Sequence, residues 1–270
     1  MKHVAALAAG FLLAGSLLLP SAVTGQQDAA RPQPQDIGAQ PGHLPKVHYV
    51  PSNAAYTKYP IWVDASMVFN PDGSVNTTLL PVEGERTVTA LLQKAPAHGC
   101  VPVGTYFEDL ANLPERNSIE QATKNSRLVV LGKVTENAYG ISGYIPGQLL
   151  RVVPEEVIKG QPRDVAAYFV FVPVGYFKLG SVTLCKTDSR YPEAPRVGDQ
   201  VLLFVPDGPN WQADQKEPYL ELQDDGGIVT IHGDSTVSLP KRFQRPGDTK
   251  APPSSGDVLS RVRAAGKESN

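Results

Sequence analysis

Residues 128–134 read LVVLGKV, a near-continuous apolar run with Gly132 inside it. A run that short and that rich in β-branched residues predicts a strand. Glycine weakens a strand unless the backbone bulges or coils, so Gly132 marks the point where the first strand of a small barrel turns. A second strand is expected from Gln148 to Ile158, with Leu150 and Val152 on one parity and Pro154 implying an edge position or a bulge. Between the two, Glu136 to Gly147 reads as a Gly- and Tyr-rich loop. The third strand, AAYFVFVPV, is apolar at both parities and so predicts cover on both faces. GDQVLLFV, from Gly198 to Val205, is the fourth. The fifth is the hairpin YLELQDDGGIVTIHGD, whose Asp-Gly-Gly predicts a tight reversal.

Upstream, YPIWVDASMVFNPDGSVNTTLLPV predicts a hairpin closed by Asn70-Pro71-Asp72-Gly73, where proline presets φ and glycine accepts a positive φ. Val88, Leu91 and Leu92 recur at helical spacing in GERTVTALLQKAPAHG. Ser118-Ile119-Glu120-Gln121 has the form of a capping box, with Ser118 capping a helix that runs to about Asn125 and Gln121 reaching back. At the N-terminus, a Lys-His start, an apolar run from Val4 to Leu19 and small residues after Pro20 have the form of a secretory signal peptide with cleavage near Gly25. That run falls short of the roughly 20 residues a membrane span needs.

The pattern divides the chain into 1–25 as signal peptide, 26–46 as a Gln/Pro-rich disordered linker, and 47–117 as an N-terminal hairpin and helix extension. A barrel follows over 118–239, and 240–270 is a flexible tail with a short terminal helix. The fold class is mainly β: a five-stranded OB-like Greek-key barrel carrying that extension. An immunoglobulin-like sandwich is the second choice, but the Cys, Trp, Cys order it favours is missing between Cys100 and Cys185.

Composition agrees, with 24 Gly and 25 Pro in 270 residues pointing to a turn-rich protein. The formal net charge is -2, and loss of Lys2 with the signal makes it -3. That leaves no basic field for nucleic acid and no polybasic membrane patch. The two cysteines, Cys100 and Cys185, are expected to bridge in an oxidising, secreted or periplasmic compartment, with two free thiols or a thiol nucleophile as alternatives.

Residues suited to chemistry are sparse. Ile231-His232-Gly233-Asp234-Ser235 holds a base, a carboxylate and a hydroxyl, but neighbours on an extended chain point to opposite faces, so a strand end with a polar turn is the expected reading. His98, two residues before Cys100, lacks further ligands nearby in sequence and reads as a loop histidine. Asn70, Asp72, Ser74 and Asn76 lack the Gly and Glu that complete a calcium loop. No catalytic motif, metal or cofactor is indicated. Tyr139, Tyr144 and Tyr176 are the candidates for a ligand face, since barrels of this class bind on their second and third strands and adjoining loops, often by stacking on aromatic rings, with core and rim packing as the plainer reading of the same residues.

Leu128, Val129 and Leu131 with Gly132-Lys133-Val134, then Val152 with Glu156-Val157-Ile158-Lys159-Gly160, Phe169 to Pro173, and Gly198 with Leu202 to Phe204 together resemble the netrin-like barrel module. That module occurs in tissue inhibitors of metalloproteinases and in many exported bacterial proteins. The resemblance covers about 126–234 and implies the barrel. It does not carry over the inhibitors' zinc-chelating N-terminal cysteine, because no cysteine precedes Cys100. The expected function is an exported, non-catalytic binding or interaction module for an unknown protein or envelope ligand. A cell-envelope hydrolase or a structural subunit is the alternative.

Overall fold

The structure is a computed structural model. It describes residues 43–49, 59–94, 100–102, 118–161, 164–186, 194–206, 218–220, 222, 227–240, 243 and 253–269, all within one compact unit. In chain order the strands are β1 (Val47–His48), β2 (Trp62–Asp64), β3 (Val101–Pro102), β4 (Leu128–Ser142), β5 (Ile145–Lys159) and β6 (Tyr168–Val172). After them come β7 (Gly175–Leu179), β8 (Val182–Lys186), β9 (Gln200–Val205), β10 (Tyr219–Leu220), β11 (Ile228–Ile231) and β12 (Val237–Ser238). Helices α1 (Val82–Gln93), α2 (Ile119–Asn125) and α3 (Ser255–Lys267) complete the described elements. The protein is mainly β.

The main sheet runs β10-β6-β5-β4-β9-β11-β12, with β2 added to the far half of β4 and β1 added to β2. β10 runs parallel to β6, and the other pairings are antiparallel. Its backbone of pairing is the β4–β5 hairpin, which overturns the loop expected from Glu136 to Gly147. The ladder continues through Glu136↔Arg151 to Ser142↔Ile145, and only Gly143 and Tyr144 turn the chain. Gly143 has φ 60°, at the first of two turn positions, where a type II′ hairpin requires glycine.

Three register shifts interrupt this ladder. They leave Ile158 and Glu155 as extra residues on β5 and Thr135 on β4. Each bulge sharpens the local twist. Pro154, which donates no hydrogen bond, stands opposite Gly132 beside one of them, and a Cβ on Gly132 would meet Val152 Cγ1 at 2.6 Å. The coiled sheet gathers Val130, Val152, Val170, Leu203, Leu220 and Ile228 into one apolar cluster, although these residues come from strands spread across it. The hydrogen-bonded order nonetheless ends at β10 on one side and at β12 on the other, so the large sheet is not closed into a barrel.

The opposite face of β4, β9 and β11 is covered by α2 and α3, where Val129, Leu202, Phe204 and Val229 meet Ile119, Val258 and Val262. Ser118 caps α2 by accepting from Gln121 N at 3.1 Å. The Gln121 side chain turns to Asn125 rather than back to the cap, so half of the expected capping box forms. A forked ion pair ties α2 to α3: Arg261 Nε donates to Glu120 Oε1 at 2.6 Å and Nη2 to Oε2 at 3.1 Å. The Arg261 guanidinium holds the Glu120 carboxyl down from 4.5 to about 2, against the opposing effect of burial. A depressed carboxylate contributes stability above its unfolded value that is lost as pH falls through its folded one. Between pH 5 and pH 2 the protein is therefore expected to lose about 1 kcal/mol more than its Glu120→Gln variant, in denaturant titrations at each pH. Equal acid losses in the two proteins would refute this.

A second layer surrounds the far end of the hairpin. A small sheet ordered β3-β8-β7, with β3 parallel to β8, packs with α1 against Val63 and Ile141. The chain between β2 and α1 forms a 3-10 turn over Ala65–Met67, then the expected reversal, where Gly73 N donates to Asn70 O at 2.9 Å with Gly73 at φ 83°. Phe69 and Val75 bridge across it. Cys100 and Cys185 are bonded, joining the residue before β3 to the partner strand β8.

Candidate functional site

The β4–β5 ladder and β7 hold the three candidate tyrosines, and the structure separates them. Tyr139 packs inward, stacked on Phe177 with ring centroids 5.0 Å apart and planes 5° from parallel. It belongs to the cluster around α1 and the small sheet, and serves as packing. Tyr144 lies at the tip of the hairpin and is 51% exposed, and Tyr176, on the opposite face of β7 from Phe177, is 67% exposed. Of the three candidates, these two are the exposed ones.

The outer face of β5 and β6 is filled by the chain itself. Leu149, Phe169 and Phe171 are covered by Trp62, Leu44 and Tyr219. Trp62 is fully buried, its ring 6.1 Å from that of Phe171. The His48 ring stacks on Tyr219 at 5.7 Å and meets Phe169 edge-on at 5.8 Å. Two glycines paired across the hairpin, Gly140 and Gly147, let these layers close. A Cβ at Gly140 would lie 2.1 Å from Val63 O and 2.8 Å from the Trp62 ring, and one at Gly147 would lie 2.5 Å from Val172 O.

At the other end of the sheet, the residues after β11 form the polar turn expected there. His232 N donates to Thr236 O at 2.9 Å and Ser235 N to His232 O at 2.8 Å, with Ser235 at φ 68°. Asp234 belongs to that turn, because the Thr236 hydroxyl and N–H both donate to its carboxylate and hold its pKa below the usual range.

The His232 ring takes other partners. Nδ1 lies 3.1 Å from Asp199 Oδ2 and Nε2 lies 2.8 Å from Ser238 Oγ. Strand register explains the convergence. Gln200 pairs with Ile231, so Asp199 comes beside His232, and Thr230 pairs with Ser238, on the parity that His232 shares. The N–H of Arg196 donates to the same Asp199 oxygen at 2.9 Å and orients it. The Asp199 side chain is 9% exposed and that of His232 14%, and Ser238 is half-buried. Sequence reasoning singled out His232 but missed Asp199 and Ser238. The Gly198-Asp199 start of the fourth strand was the available signal, and it carries meaning only once β9 is known to pair with β11.

His43 Nδ1 lies 3.2 Å from Glu136 Oε2. His98 lies outside the described residues. Among the described residues no three His, Cys, Asp or Glu side chains gather as a metal site. No helix among them is long and apolar enough to cross a membrane. The chain matches no protein-family model and no curated protein.

Proposed function

We propose that the protein is an exported interaction module built on an OB-like, netrin-like barrel scaffold, and that it meets a protein or envelope partner through the exposed rings of Tyr144 and Tyr176. Their exposure is the observation that carries this reading. Aromatic side chains left in water, Tyr144 at a hairpin tip and Tyr176 on β7, cost little entropy to immobilise, which is why such rings anchor interfaces. The filled outer face of β5 and β6 supports the same reading by removing the usual ligand face from solvent.

Several features support the barrel. β10 and β11 lie on one run of chain, and β10 joins the β6 edge while β11 joins β9, as the fifth strand of a Greek-key barrel does. Leu220, Leu222 and Ile228 from that run share a cluster with the inward faces of β4, β5, β6 and β9. The disulfide is compatible with export, which the apolar N-terminal run also favours.

The test is capture from the envelope fraction by the immobilised protein, compared with a Tyr144→Ala/Tyr176→Ala double variant. The variant is expected to lose the captured partner while its stability changes by no more than about 0.5 kcal/mol, since neither ring packs in the core. Equal capture by both proteins would sink the assignment of these rings. A second reading, an envelope hydrolase, draws on the relay through His232.

A further inference from the structure

We propose that Asp199, His232 and Ser238 form a serine-nucleophile site that acts on small acyl esters. The argument begins with the tautomer. An ionised carboxylate only accepts hydrogen bonds, so Asp199 Oδ2, 3.1 Å from Nδ1, keeps the proton on Nδ1. Nε2 then carries the lone pair, and the Ser238 hydroxyl, 2.8 Å away, donates to it. This is the arrangement in which a histidine removes the hydroxyl proton as the oxygen attacks, with the carboxylate stabilising the imidazolium that forms.

The three side chains come from separate segments: the turn before β9, the end of β11, and β12. They are brought together by strand pairing rather than by nearness along the chain. The carboxylate is the most buried of the three and the hydroxyl sits on the last strand of the sheet order. Ser238 is partly exposed, so a small acyl ester is the class of substrate that could reach it.

In the reaction, a bond forms between Oγ and the acyl carbon as the hydroxyl proton passes to Nε2. The ester C–O bond then breaks, and the same proton leaves with the departing alcohol. Water enters by the reverse route, giving up a proton to Nε2 while its oxygen bonds to the acyl carbon. The Oγ–acyl bond breaks as Oγ takes that proton back from Nε2, releasing the acid and restoring Ser238. Nothing is oxidised or reduced, and water is the sole co-reactant.

A merely structural role is also open to this relay, since it would pin β12 to the turn. The two roles separate with a fluorophosphonate probe, which bonds through phosphorus to an activated serine oxygen as fluoride leaves. The full chain, treated with the probe and digested, is expected to carry one adduct on the peptide holding Ser238. The adduct should vanish in Ser238→Ala, and its rate should fall about a hundredfold in His232→Gln and in Asp199→Asn. Hydrolysis of p-nitrophenyl acetate should fall in parallel. An unlabelled Ser238 in protein that melts cooperatively would overturn the proposal. So would a Ser238 adduct formed at the same rate in Asp199→Asn, a variant that keeps the side chain's shape.

Discussion

Reduction of the Cys100–Cys185 bridge is expected to destabilise the protein by roughly 4 to 5 kcal/mol. The bonded cysteines lie 85 residues apart, and cross-linking so long a segment removes much of the unfolded chain's freedom. The local structure makes the protein dependent on that constraint. β3 has two residues and, among the described residues, pairs with β8 alone, so without the bond it is held there by a two-residue parallel ladder and the burial of Val101. In a chain of this size the loss corresponds to a fall in Tm of about 10 to 20 °C. Thermal unfolding with and without a phosphine reductant, and of a Cys100→Ser/Cys185→Ser variant, measures it. A fall below about 3 °C would show that the second layer around α1 is held by packing alone.

Gly140→Ala is the second large effect, with an expected loss of about 3 kcal/mol or more. The added methyl would sit 2.1 Å from the Val63 carbonyl oxygen and 2.8 Å from the fully buried Trp62 ring. A carbonyl in the β2–β4 ladder cannot move aside without losing that pairing, which consists of Val63↔Ile141 and Asp64↔Gly140. Gly233→Ala provides the control, since a Cβ there meets nothing within 4 Å and should cost no more than about 0.5 kcal/mol. Urea titration of both variants decides it. Equal stabilities would mean that β2 is not held against β4 in solution.

Gly140 also shows why part of the fold was hidden. Between Glu136 and Gly147, three glycines and two tyrosines have the composition of a loop, yet the residues form the far half of a 15-residue strand and the start of another. Two of those glycines serve close approach, and only Gly143 turns the chain. Composition does not separate the two uses, because both need the absence of a Cβ and only the partner across the gap tells them apart. The runs from Leu128 and from Gln200 were legible, since continuous β-branched stretches have few ways to be buried other than as strands covered on both faces. Ser118 as the start of α2 was legible for a similar reason, because capping is local.

The relay through His232 was legible only in its centre. Its nearest polar neighbours in sequence, Asp234 and Ser235, lie in the turn, while Asp199 and Ser238 arrive from β9's entry and from β12. The candidate tyrosines divided in the same way. Tyr139 went inward to Phe177, and Tyr144 stayed out because the two-residue turn leaves its ring beyond the ladder.

By itself, then, the sequence determined a mainly β chain and the starts of its central strands, because short-range apolar pattern and capping act without distant partners. Only the tertiary structure decided that the hairpin runs on to the turn at Gly143-Tyr144, that Trp62 seals the β5–β6 face, that Cys100 and Cys185 bond, and that Asp199, His232 and Ser238 meet. Each of these rests on strand register, where a one-residue slip turns every side chain to the other face, and register is set by contacts far apart along the chain.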